Sequence, residues 1–91
     1  MTSQIHDNVE RSRFELDVSG QVVFASYRRQ GPRLAIYHVE APIPLRGTGA
    51  AGRLMQGVAE AARREGSKIV PYCGYAAAWL RRHREYHDLL A

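Results

Sequence analysis

"LRGTGAAGRL", residues 45–54, sets three glycines, two alanines and a threonine between an arginine and the start of a helical pattern. Glycine destabilises the interior of helices and strands, so this much permissive backbone marks a junction. Upstream, Pro42 and Pro44 stop an extended run, because proline cannot donate to a strand ladder. Downstream, Ala51, Leu54, Met55, Val58 and Ala62 form one apolar stripe, with Arg53, Gln56, Glu60, Arg63 and Arg64 opposite. That spacing predicts an amphipathic helix of about four turns over residues 49–65, stopped by Gly66.

Working outward, residues 13–18 alternate, Phe14, Leu16 and Val18 against Arg13, Glu15 and Asp17, as in a half-buried strand. Ser19-Gly20 and Gly31-Pro32 are turn signals, and the β-rich runs 21–29 and 33–41 follow them. Connections this short predict an antiparallel meander. After the helix, residues 67–72 read as a fourth strand, able to lie parallel because a helix precedes it. Residues 75–83, with Trp79 and Leu80 as packing residues, read as a second helix, and 85–90 as a last helical turn. The expected fold is α/β (α+β), in the order βββ-α-β-α, with a mostly antiparallel sheet. Residues 1–8 are polar and expected to be loose.

Ninety-one residues suffice for one domain. The net charge of +4 suits an anionic partner, but the arginines are scattered, which fits a solvated face equally well. One cysteine, Cys73, excludes an internal disulfide and the disulfide framework of small secreted domains. The start of the chain shows no apolar leader run. Residues 69–80 are uncharged but too short to span a bilayer, and Pro71 and Gly74 interrupt them. These features predict no membrane association and a reducing, cytoplasmic setting.

A glycine-rich turn opening a helix presents unpaired amides at the positive end of the helix dipole, a seat for phosphate. Gly47 and Gly49 would let the backbone approach it, and Arg46 adds a charged fork. A tight turn with a closely packed helix start explains the same glycines without a ligand. No Gly-Lys-Ser/Thr follows, so this is no Walker loop, and the spacing does not fit the dinucleotide fingerprint.

Arg46-Gly47-Thr48-Gly49-Ala50-Ala51 resembles the Arg/Gln-x-x-Gly-x-Gly/Ala signature of the GNAT superfamily of acetyl-CoA-dependent N-acetyltransferases. "HVEAPIPLRGTG", "AARREGSKIVPYCGY" and "HREYHDLL" are similar to the small single-domain branch of that superfamily, and the resemblance runs over residues 14–90. It implies that the amides of residues 46–51 hold the coenzyme A pyrophosphate. It implies that the main chain at Val39 and Ala41 pairs with the pantetheine arm. It further implies direct transfer of an acetyl group to a primary amine: a protein lysine, an N-terminus or a small amine. Two departures stand out. Trp79 occupies the position best matching the tyrosine acid of larger members, and Arg84 stands where the branch has proline.

Three residues are candidates for chemistry. Cys73 follows the fourth strand at a helix start, a setting that favours a nucleophilic thiolate. It could carry the acetyl group, protonate the leaving thiolate, or simply pack. His38 and Glu40, two apart on a strand, share a face and are candidate bases. His83 and His87 are four apart without a third ligand at helical spacing, so no metal is expected. Two other function classes compete: a non-catalytic acyl-CoA-binding module, favoured by Trp79, and a nucleic-acid binder, disfavoured by the absence of a recognised motif.

Overall fold

The computed structural model describes residues 5–91. Strand β1 (Ile5–Asn8) opens them, followed by β2 (Arg13–Val18), β3 (Gln21–Gln30) and β4 (Arg33–Glu40). Helix α1 (Ala50–Glu65), strand β5 (Lys68–Pro71) and helix α2 (Gly74–Arg82) complete the order. The sheet order is β1-β2-β3-β4-β5. The first four strands are antiparallel, and β5 runs parallel to β4, as a strand returning from a helix can.

Strand β1 corrects the expectation of a loose start. It pairs Ile5 with Leu16 and Asn8 with Arg13, while residues 1–4 lie outside the described residues. Only Ile5 is apolar in it, so no alternation announces it; its partner strand makes it a strand. The Asp7 carboxylate then accepts hydrogen bonds from the Tyr27 hydroxyl and from Arg29, whose guanidinium also reaches Glu65 at the end of α1.

One face of the sheet carries the core. Phe14, Leu16, Val23, Ala25, Leu34 and Ile36 are buried there against Leu54, Met55, Val58 and Ala62 of α1. Arg63 and Arg64 in the last turn of α1 suit the negative end of its dipole. Gly66, at φ 77°, ends the helix by donating back to the Ala62 and Arg63 carbonyls. Helix α2 joins the same core through Ala76, Trp79 and Leu80. The chain then makes a 3-10 turn (Arg84–Leu89), and its end does more than the expected helical turn. Leu90 bridges to Ile69 and the Ala91 amide donates to the Ile69 carbonyl, 3.0 Å away, covering the outer edge of β5.

The opposite face of the sheet has no described helix over it. Arg13, Glu15, Phe24, Ser26, Arg28, His38 and Glu40 on it are half-buried or exposed, while the small Ala35 is buried. No described helix is long and apolar enough to cross a membrane.

Candidate functional site

The register of β3 and β4 slips by one residue in mid-strand. Ser26 pairs with His38 but Tyr27 with Ile36, leaving Tyr37 as the extra residue of a bulge. Pairing between β4 and β5 ends at the same level, with Ile36 opposite Pro71. The Ile36 carbonyl accepts from both the Tyr72 and Cys73 amides, and the two strands part beyond it. Residues 37–40 of β4 therefore have a strand on one side only. Alternate main-chain groups there face an unpaired edge.

The loop after β4 lies at the top of this parting. Pro42 caps a single 3-10 turn (Ile43–Leu45), and the chain reaches α1 through Gly47 at φ 81° and Gly49 at φ 87°. A Cβ on either glycine would meet nothing within 4 Å. Their need is thus for the left-handed backbone, rather than for clearance from the protein itself.

Half of the loop's amides are spent on its own shape. Arg46 N donates to the Ile43 carbonyl (3.1 Å) and Thr48 N to the Leu45 carbonyl (3.2 Å). The Thr48 hydroxyl donates to that same carbonyl (2.5 Å) and accepts from Ala50 N (3.3 Å). Thr48 is therefore the internal brace of the turn, with both its polar groups engaged. The amides of Gly47, Gly49, Ala51 and Gly52 have no acceptor among the described residues. Gly49 supplies no side-chain cap, and the first turn of α1 holds no acidic residue, so the positive end of the dipole is uncompensated.

These groups face a pocket of about 380 Å³. Arg46, Gly47, Gly49, Ala50, Ala51 and Gly52 line one side of it, with Ala41, Leu45 and Tyr75 completing the wall. Arg46 is anchored by its Nε, which donates to the Ala41 carbonyl at 3.1 Å, leaving its outer nitrogens without a partner among the described residues. The Ala41 carbonyl, expected at the ligand-pairing edge, is thus already an acceptor.

Gly52, in the first turn of α1, is not held to glycine by the protein's own packing. A Cβ there would stand 3.4 Å from the Trp79 Nε1 and 3.9 Å from the Tyr75 hydroxyl, ordinary contact distances. Gly52→Ala is expected to raise stability by about 0.5–1 kcal/mol, as Gly-to-Ala changes in helices do. It should also narrow the pocket and weaken any ligand held on that helix turn. Melting curves with and without acetyl-CoA separate the two effects.

Of the candidates for chemistry, His38 and Glu40 meet: His38 Nε2 lies 2.8 Å from Glu40 Oε1, on the helix-free face. The His38 hydrogen bond, helped by the charge of Arg46, holds the Glu40 carboxyl below its ordinary value. Val39 is half-buried on the core face between them. Cys73 caps the N-terminus of α2, packs on the core and is not a lining residue of the pocket. Tyr75, two residues on, is. Its burial pushes the phenol up from its ordinary value, with the Arg82 charge opposing this and neighbouring Cys73 adding to it. Tyr75 is not among the residues that the sequence singles out. Its place in the first turn of a helix that starts where two strands part was the available signal.

Trp79 is 4% exposed and sits in an aromatic stack, 3.7 Å from the His83 ring and 5.7 Å from Tyr86. His83 Nδ1 is 2.7 Å from the Trp79 carbonyl, while His87 Nε2 is 3.0 Å from the Arg81 carbonyl. The two histidines brace separate parts of the C-terminal turn. Among the described residues no group of three His, Cys, Asp or Glu is placed to hold a metal ion.

Residues 13–89 match the GCN5-related N-acetyl-transferase family. No curated protein matches the sequence. Among solved structures, the solution structure of a GCN5-like candidate N-acetyltransferase from Staphylococcus aureus is similar to this chain, with a TM-score of 0.70 and 22% identity over 99% of this chain and 89% of that one. At that identity the likeness is one of fold.

Proposed function

The chain belongs to the GCN5-related N-acetyltransferase family, and from that premise we propose that it moves an acetyl group from acetyl-CoA to a primary amine by direct attack. The observation that carries this reading is the set of free amides at Gly47, Gly49, Ala51 and Gly52, gathered at an uncompensated helix N-terminus beside Arg46. Donors so arranged fit a diphosphate. The unpaired edge at 37–40, ending at Ala41, suits an amide-bearing arm leading from it. Acetyl-CoA supplies the activated acyl group; the chain supplies position, donors and proton transfer.

In this reading Glu40 fixes the His38 ring. A neutral His38 donating from Nε2 leaves Nδ1 to take a proton from the incoming ammonium. The amine nitrogen bonds to the acyl carbon, the carbon–sulfur bond breaks as the sulfur takes the phenolic proton of Tyr75, and the second proton on the new amide nitrogen restores the Tyr75 phenol, so that the one proton held by His38 is the one released to solvent. A phenol carries its proton at neutral pH, so Tyr75 has one to donate. Tyr75 rather than Cys73 is given the acid's part because Tyr75 lines the pocket. A carboxyl held below its ordinary value is a weak base, so Glu40 is a positioning residue. Glu40→Gln should lower kcat about tenfold with KM for acetyl-CoA unchanged. A reducing cytoplasm suits the single free thiol.

The test has two steps. Acetyl-CoA should raise the melting temperature, by the equivalent of about 2.7 kcal/mol at 100 times its Kd. Release of free coenzyme A thiol with an amine panel then separates an enzyme from a binding module. No thermal shift would end the coenzyme reading. A shift without thiol release across lysine peptides, N-terminal peptides and polyamines would leave the non-catalytic module.

A further inference from the structure

Tyr37 and Tyr72 are the feature that acetyl transfer leaves unexplained. Tyr37 is the bulged residue of β4 and Tyr72 follows β5, so the pair spans the point where the strands part. Their rings stack at 5.0 Å with 10° between planes. They are nonetheless 44% and 61% exposed. Aromatic rings held in place but left in water indicate contact with something else.

The surroundings narrow what that is. Strand alternation puts Tyr72 on the helix-free face with Val70, and the stack puts Tyr37 there too. On the same face His38 and Glu40 lie one way along β4 from the tyrosines. The other way, Arg28, Ala35 and Val70 form a row across β3, β4 and β5, one step of alternation from the rings. Arg28 is exposed and has no carboxylate partner among the described residues. The face thus reads, in order, carboxylate with histidine, two aromatic rings, free guanidinium.

We propose, resting on the acetyl-transfer reading, that this face docks the acceptor and that the acceptor is a lysine on an exposed polypeptide segment with an acidic residue beside it. The lysine's ammonium would pass over the tyrosine faces toward His38 and Glu40, as cations favour aromatic faces. The acidic neighbour would meet Arg28. A polypeptide is favoured over a free amine by the shape of the site. The face is a floor without walls, whereas small-molecule sites enclose most of their ligand. An acceptor binding here must draw affinity from groups on either side of the lysine.

The experiment uses three acetyl-capped peptides of equal length, with the lysine flanked by aspartate, glycine or arginine, and spermidine as a fourth acceptor, at low salt. Wild-type protein should favour the aspartate peptide over the arginine peptide by about tenfold in kcat/KM. Arg28→Glu should reverse that order. Tyr72→Ala should raise the peptide KM about fivefold or more with kcat little changed. In both variants acetyl-CoA should still shift the melting temperature as in wild type, so loss of the coenzyme reading would be seen separately. Equal rates on all three peptides, no reversal by Arg28→Glu, or spermidine exceeding every peptide would overturn the proposal.

Discussion

Tyr75→Phe should lower kcat for acetyl transfer by about 100-fold or more, while acetyl-CoA still raises the melting temperature as it does for the unchanged protein. General acids contribute on the order of 10²–10⁴ to rate. The phenol lines the pocket at the first turn of α2, and a phenol is protonated at neutral pH. Phenylalanine keeps the ring but removes the hydroxyl and its proton. The lost rate should therefore appear in kcat and leave KM for acetyl-CoA within about threefold. Tyr75 is 40% exposed, so the substitution leaves no buried cavity and the fold should be unaffected. A variant with undiminished kcat would remove Tyr75 from the chemistry and return attention to Cys73.

Gly49→Val should abolish the thermal shift given by acetyl-CoA and reduce kcat/KM by about 100-fold or more. Gly49 holds φ 87° as the residue before α1. A β-branched side chain there is strained by about 1–3 kcal/mol, and relief of that strain turns the neighbouring amides away from the pocket. The same strain should lower the melting temperature of the free protein by roughly 4–8 °C per kcal/mol. Gly49→Asn is the control. Asparagine tolerates the left-handed region, so it should keep most of the stability and much of the binding. If valine and asparagine variants bound acetyl-CoA equally well, the amides of this turn would not be the anion seat.

The elements that were legible from the chain are those with a repeating pattern. Strand β2 announces itself through Phe14, Leu16 and Val18, and α1 through its apolar stripe, of which only Ala51 falls short of full burial. The loop was legible for a different reason: glycines at positive φ cannot be replaced freely, so they stand out in composition. Strand β1 was missed because four residues with one apolar member carry no period. The sequence places Thr48 in the candidate anion loop but does not show that its hydroxyl braces the turn, a role that depends on where the Leu45 carbonyl points. Tyr75 and the Tyr37–Tyr72 pair were not read as site residues, because each depends on the parting of β4 from β5.

By itself, then, the amino-acid order determined the class of fold, the run of its central elements and the place of the glycine turn that we propose as the anion seat. Those follow from periodicity and backbone permissiveness, which are properties of neighbouring residues. Only the folded chain decided which amides stay free, where the strands separate, and which tyrosines stand at the opening. Those outcomes depend on hydrogen bonds and pairings between residues far apart in the chain, such as Ile36 with Cys73, and no local pattern encodes them.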